Sequence, residues 1–213
     1  MPTPRPFIAA GLAAVVGLVL SGCITGQRPS FEDEQPAEGA TGNEAIDAVL
    51  QQLDAAGSTT LTAVYEISAA TGDDARAAVV IADDTRTSIT VGDWRYLLEN
   101  GAGITCDLTA DECEASINDA HISNLQITHD FFGPAFAQRL RVDADRRIAD
   151  PTGFEQSIAG QDAVCVTVPV TGGDKLYCAL DAGVLARYQG ADTLIDLIRY
   201  RPRPDENRFA TGR

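Results

Sequence analysis

The stretch Gln161-Asp162-Ala163-Val164-Cys165-Val166-Thr167-Val168-Pro169-Val170-Thr171-Gly172-Gly173-Asp174-Lys175-Leu176-Tyr177-Cys178-Ala179-Leu180 decides the fold class. Two short runs, 162–168 and 175–180, are rich in β-branched, aromatic and small apolar residues. Thr171-Gly172-Gly173 stands between them, so the pair predicts an antiparallel hairpin. Cysteines directly opposite one another satisfy a Cα separation below about 7 Å, whereas diagonal neighbours do not. Placing Cys165 opposite Cys178 predicts a loop of Val170 to Gly173, with Pro169 opposite Asp174. A tighter Gly172-Gly173 turn leaves the two diagonal. In the first register Ala163, Cys165, Leu176, Cys178 and Leu180 share one face, and Val164, Val166, Val168, Tyr177 and Ala179 share the other. A solvated face alternates to polar residues. Neither face does, so one must pack on helices and the other must meet a partner chain, the sheet's own curled edge or a ligand.

The same pattern spreads outward from the hairpin. Residues 154–159 and 184–189 read as its flanking strands, joined at Gly160-Gln161 and Asp181-Ala182-Gly183. Residues 193–200 read as a last strand or a short helix, because Leu194, Leu197 and Ile198 fit a helical face. Arg201-Pro202-Arg203-Pro204 ends it, and 201–213 reads as a flexible tail. Upstream, Leu61, Ala63, Tyr65 and Ile67 alternate with polar residues. Runs at 76–82, 86–91, 94–99 and 104–108 follow, separated by Gly, Asp and Asn turn signals. None has a crossover helix beside it, so they predict an antiparallel meander.

Two helices interrupt the strands. Asn43 is an N-cap residue, and Ile46, Val49, Leu50 and Leu53 recur at helical spacing until Gly57, predicting a helix over 44–56. A helix that short is stable only when laid on a sheet. The second helix is predicted over 134–142, opening on Pro134 at its first turn. Phe131 and Phe132 precede it, Phe136 lies inside it, and together they form the densest aromatic cluster of the chain. The segment 109–127 is irregular and acidic. Asp107, Asp111, Glu112 and Glu114 lack the loop glycine and closing glutamate of an EF-hand, so no metal site is expected.

The first residues carry an address. Arg5 is followed by an apolar run from Phe7 to Leu20 and by Leu20-Ser21-Gly22-Cys23. The run is shorter than the roughly 20 residues a membrane span needs. Leu20-Ser21-Gly22-Cys23 resembles the lipobox of bacterial lipoproteins, which implies a signal peptide over 1–22, removed before a lipidated (diacylglycerol, palmitate) Cys23. Residues 23–42 are poor in bulky apolar side chains and read as a flexible linker, spanning on the order of 25 Å. The folded domain then occupies 43–200. Localisation on the extracytoplasmic side of a cell membrane follows from that resemblance.

Charge and cysteines narrow the classes further. With 31 Asp and Glu against 16 Lys and Arg, the formal charge is −15, which repels nucleic acid and other polyanions. Beyond Cys23 the cysteines are Cys106, Cys113, Cys165 and Cys178, an even set that outside the cytoplasm reads as two disulfides with three possible pairings. The sequence holds no GxSxG elbow, HExxH or P-loop. Gly101-Ala102-Gly103 is a turn, with no helix after it to make a dinucleotide site. The chain is expected to be no enzyme and to take no cofactor.

Taken in order, a lipobox, a linker, an amphipathic helix, a long meander, a helical interruption and a second meander resemble the LolA-like lipoprotein carriers and actinobacterial lipoproteins of that fold. Ile158 to Cys165, followed by Tyr177 to Leu185, is similar to the paired-cysteine hairpin of secreted members. The resemblance implies an α+β fold: a curved, mainly antiparallel half-barrel with both helices on its concave face. The expected function is non-catalytic binding or carriage of a lipid or other apolar ligand, with an envelope interaction module lacking a cavity as the alternative. Trp94, Phe131, Phe132 and Phe136 are the candidate pocket wall, since apolar-ligand sites are rich in aromatics. The local disulfide scheme joins Cys106 to Cys113 and Cys165 to Cys178.

Overall fold

Eleven antiparallel strands form a single open, curved sheet in the computed structural model, which describes residues 41–210. Residues 1–22, Cys23 and nearly all of the 23–42 linker lie outside the described residues. The order of elements is α1 (Glu44–Asp54), β1 (Leu61–Ala69), β2 (Asp74–Asp83), β3 (Arg86–Val91), β4 (Trp94–Glu99), β5 (Ala102–Asp107), β6 (Glu112–Glu114), a 3-10 turn (Asp119–Leu125), α2 (Pro134–Asp145), β7 (Thr152–Ile158), β8 (Gln161–Val170), β9 (Gly173–Leu180), β10 (Val184–Gln189), β11 (Thr193–Arg201) and a short 3-10 turn (Glu206–Phe209). In space the strands run β6-β5-β4-β3-β2-β1-β11-β10-β9-β8-β7. The two meanders therefore meet along one seam, β1 against β11. Bulges between Val64 and Tyr65, Ile81 and Asp83, and Leu185 and Arg187 add local twist and help the sheet curve.

The helices lie on the concave face, as the α+β half-barrel requires. Asn43 caps α1, its side chain accepting from Ile46 N at 3.1 Å. Ile46, Val49, Leu50 and Leu53 then point into a core with Leu61, Ala63, Tyr65 and Ile67 of β1 and the matching residues of β2. The end of α1 is held close by two glycines. A Cβ on Gly133 would stand 2.3 Å from Ala56 Cβ, and one on Gly183 would stand 2.8 Å from the Ala55 carbonyl. Gly183 also has φ +79, so no other residue suits that turn. α2 opens on Pro134 as expected and runs three residues beyond 142, to Asp145.

The hairpin has the expected register. Cys165 faces Cys178 and Pro169 faces Asp174, but the ladder continues to Val170 opposite Gly173, leaving only Thr171-Gly172 as the loop. Gly172, at φ +101, makes that tighter loop possible. Both disulfides follow the local scheme, each with a Cα separation of 4.0 Å.

One open reading is decided and two expectations are corrected. Of the strand and the short helix that spacing allowed over 193–200, the strand forms, over 193–201, with Ile195 and Leu197 opposite Ile67 and Tyr65 on the concave face. The acidic middle is more regular than its composition suggests: β6 pairs with β5, and Ile122 and Leu125 of the 3-10 turn are buried. Residues 202–210, expected as part of a flexible tail, are bonded to the sheet although many of them stay exposed. They cross the convex face as a strap, with Thr62 Oγ1 donating to the Arg203 carbonyl at 2.8 Å and Ser88 Oγ to the Arg208 carbonyl at 2.5 Å. Arg86 pairs with Glu206 at 2.6 Å and lies over the Phe209 ring. Arg95 donates to the Ala210 carbonyl. Val80 stands between Thr62 and Ser88 in the ladder and is fully buried.

Candidate ligand-binding and interaction surfaces

The four aromatic residues expected to line one pocket occupy three different settings. Phe131 is fully buried, its ring edge-on to Tyr65 of β1 with centroids 5.2 Å apart, and it touches Phe132 in the same way at 6.4 Å. The Phe132 carbonyl accepts from Leu185 N at 2.6 Å, which fixes the entry to α2 against β10. Phe136 sits farther along, 4.7 Å from the Tyr188 ring. Trp94 lies at the β4–β5 end of the concave face, stacked on His121 with centroids 3.5 Å apart. That last contact ties the 3-10 turn down to the sheet. A ring pair of this kind contributes roughly 0.5–1.5 kcal/mol beyond its buried area.

Around Phe136 the packing turns polar. Tyr177 and Tyr188 of β9 and β10 are neighbours at 5.0 Å, and the Tyr177 hydroxyl donates to Asp143 of α2. Lys175 Nζ reaches the same carboxylate at 2.8 and 3.0 Å. Burial, then the bond to Asp143, pushes the Tyr177 hydroxyl far above its ordinary value. Burial also raises Tyr188. Tyr65 rises through burial alone, and its hydroxyl is the exception in this interior, having no hydrogen-bond partner among the described residues.

Arg139 covers the outer side of this cluster. Its guanidinium lies 5.3 Å from the Phe136 centroid and 5.2 Å from that of Tyr188. Beside it, Ser123, Gln126, Ile127, Thr128, Ala135 and Phe136 line an open groove of about 280 Å³. Gln126 is in the left-handed region at φ +59, the turn that carries the chain from the 3-10 segment toward α2.

Both histidines belong to the cover of the β4–β6 end. His121 Nε2 is 3.1 Å from Glu114 and 3.2 Å from Asn118. His129 Nδ1 is 3.0 Å from Asp119, and its ring faces Tyr96. Sequence spacing gave no sign of these pairs, since their partners lie 7 and 10 residues away across a turn. Among the described residues no three His, Cys, Asp or Glu side chains gather as a metal site.

A second, larger opening of about 540 Å³ lies where α1 meets the last strand of the sheet, lined by Asn43, Glu44, Ala45, Ala48, Gly153, Phe154, Glu155, Val164 and Cys165. Gly153 is what allows the close approach there, because a Cβ would stand 2.7 Å from Ala45 Cβ. Nothing in the sequence marked this groove, as its two walls are more than a hundred residues apart.

No protein-family model and no curated protein sequence matches the chain. Among solved structures it is similar to the Pseudomonas aeruginosa MucA/MucB complex, at 15% identity and TM-score 0.51 over 78% of this chain and 60% of that one. A crystal structure of MucB aligns at 12% identity and TM-score 0.46, covering 79% of this chain and 63% of that one. LprF from Mycobacterium bovis aligns at 14% identity and TM-score 0.35 over 72% of this chain and 91% of that one. The chain thus spans about 60% of the length of the MucB chains it matches. What the first of these likenesses shows is a shared fold.

Proposed function

We propose that the protein is a lipid-anchored, extracytoplasmic module that binds another protein and catalyses nothing. The observation that carries this reading is the packing of the expected pocket wall into the interior, with Phe131 fully buried on Tyr65 and Phe136 only 2% exposed against Tyr188. Rings spent on the core are not available to wall a pocket for a lipid chain. The groove beside Phe136, at about 280 Å³, falls below the roughly 300–1,000 Å³ usual for small-molecule sites, and the larger one of about 540 Å³ has the polar residues Asn43, Glu44 and Glu155 in its lining and none of the expected aromatic wall. The Pseudomonas aeruginosa MucA/MucB complex, which shares this fold, supports a protein partner on this architecture. The lipobox and the two disulfides support an oxidising location outside the cytoplasm.

Native mass spectrometry of the protein carrying Cys23→Ser, purified from detergent-free extracts, tests the reading. The expected spectrum is that of the bare polypeptide. A stoichiometric lipid retained through purification returns the protein to the carriers. The same Cys23→Ser change is expected to release the protein from the membrane fraction; retention through the same wash places the anchor elsewhere.

A further inference from the structure

The two edges of the sheet are treated differently. β6 is three residues long, carries Glu112 and Glu114, and is stapled to β5 by Cys106–Cys113. Such an edge is blunted against pairing with other chains. β7 is seven residues long, reads Thr152-Gly153-Phe154-Glu155-Gln156-Ser157-Ile158, and has no Pro, Lys, Arg or bulge within it.

Its hydrogen-bonding parity can be worked out. A Cα separation of 4.0 Å makes Cys165–Cys178 a non-hydrogen-bonded pair. The backbone groups of Cys165 therefore face β7, and those of its partner Phe154 face back. The two-residue turn Ala159-Gly160, with φ +51 and +76, closes on Ile158 opposite Gln161 and gives the same parity. Gly153, Glu155 and Ser157 accordingly turn their N–H and C=O groups outward. All three are exposed, and among the described residues no hydrogen bond fills these positions from outside the strand.

The 540 Å³ groove lies beside these free groups. Its floor is Gly153, Ala45, Ala48 and Val164, bare enough to accept an apolar side chain. Its rim carries Glu44 and Glu155, and Asp150 and Asp162 stand exposed near the two ends of the strand. Among the described residues no Lys or Arg lines the groove. The geometry points to β7 as a docking edge for an extended peptide segment of a partner protein, one that alternates apolar and basic residues and adds a twelfth strand to the sheet. This names the surface for the protein-binding reading above and rests on it.

The probe is the peptide acetyl-Val-Arg-Val-Arg-Val-Arg-Val-amide, with a control in which the central Arg is Pro. The full chain carrying Cys23→Ser is titrated by fluorescence anisotropy and followed by amide hydrogen exchange. Binding of the probe and not the control, with slowed exchange at Gly153, Glu155 and Ser157, is expected. Glu155→Pro removes an outward donor and leaves the β7–β8 ladder intact, so it should weaken binding about tenfold or more with an unchanged unfolding midpoint. Glu155→Gln should weaken it only about two- to fivefold. Ser157→Pro repeats the test if Glu155→Pro folds poorly. Three results overturn the proposal: protection that appears at the Phe136–Arg139 groove instead of β7, binding by both proline variants as tight as the parent's, or no binding by a parent chain that self-associates through β7. Lipid retained in the mass spectrum would sink the protein-binding reading while leaving these exchange data unaltered, so the two failures are distinguishable.

Discussion

Lys175, the single lysine of the chain, reaches from β9 to Asp143 on α2 and places Nζ 2.8 Å from its Oδ1. The carboxylate is only 5% exposed and also accepts the Tyr177 hydroxyl. One buried acid thus fastens a helix to the sheet through two donors on alternate residues of the same strand. Removing it should leave Lys175 and Tyr177 without their acceptor. Asp143→Ala is expected to cost about 3–5 kcal/mol in urea unfolding. The triple variant Asp143→Leu, Lys175→Met, Tyr177→Phe should recover most of that loss, because no charge is then left buried. If the triple variant is as weak as the single, packing rather than electrostatics sets the cost.

The buried tyrosines set an alkaline limit. Burial raises Tyr65, Tyr96, Tyr177 and Tyr188 above their ordinary value near 10. Each folded hydroxyl holds its proton more tightly than the unfolded one. Their contribution is complete below pH 10 and is lost as pH climbs past it, since the unfolded chain then ionises first. Unfolding midpoints are expected to be flat from pH 7 to 9.5 and to fall above pH 10. Tyr65→Phe, which discards an unpartnered hydroxyl, should be neutral or stabilising at pH 7 and should shallow the alkaline fall. A loss of more than about 1 kcal/mol at pH 7 would reveal a partner for that hydroxyl.

The strap over the convex face gives a third expectation. A chain stopped after Arg201 loses the bonds to Thr62 and Ser88 and exposes Val80. Uncovering one valine corresponds to about 2 kcal/mol, readable as a lower denaturant midpoint. Glu206→Ala, which breaks only the partly exposed pair with Arg86, should cost under about 1 kcal/mol. Equal effects from both changes would mean that the ion pair, not the covering of Val80, holds the strap.

The disulfides should be unequal. Cys165–Cys178 closes a hairpin inside the core, and replacing both cysteines by alanine is expected to cost about 2–4 kcal/mol. Cys106–Cys113 ties only the short edge strand β6. Its removal should speed hydrogen exchange at Glu112 and Glu114 far more than it shifts the global midpoint. Peptide mapping of the unreduced protein checks the pairing itself.

Much of this architecture could be read from periodicity. The β8–β9 register followed from two cysteines and a face count, and α1 from four apolar residues after a capping Asn. What escaped was held by groups that composition does not display. The strap is an Arg- and Pro-rich stretch fixed mainly by its own carbonyls, which every residue has. β6 is Glu112-Cys113-Glu114, three residues with no apolar alternation, and it exists because the disulfide brings it to β5. For 193–201, spacing favoured both periods, and only pairing with β1 decided between them. The aromatic cluster was visible, but its partners Tyr65 and Tyr188 come from distant strands, so the sequence could not separate a pocket wall from a filled interior.

The seam between β1 and β11 has a kinetic consequence. Each meander is assembled from neighbours, whereas Thr62 must find Arg201 across nearly the whole domain. Loop closure over such a distance is slow compared with hairpin formation. A chain that folds from its N-terminal side can therefore form β1–β6 early and then has to wait, with one flank of β1 bare. That flank is the aggregation-prone moment of the molecule's life, and it ends only when β11 arrives to join the two halves.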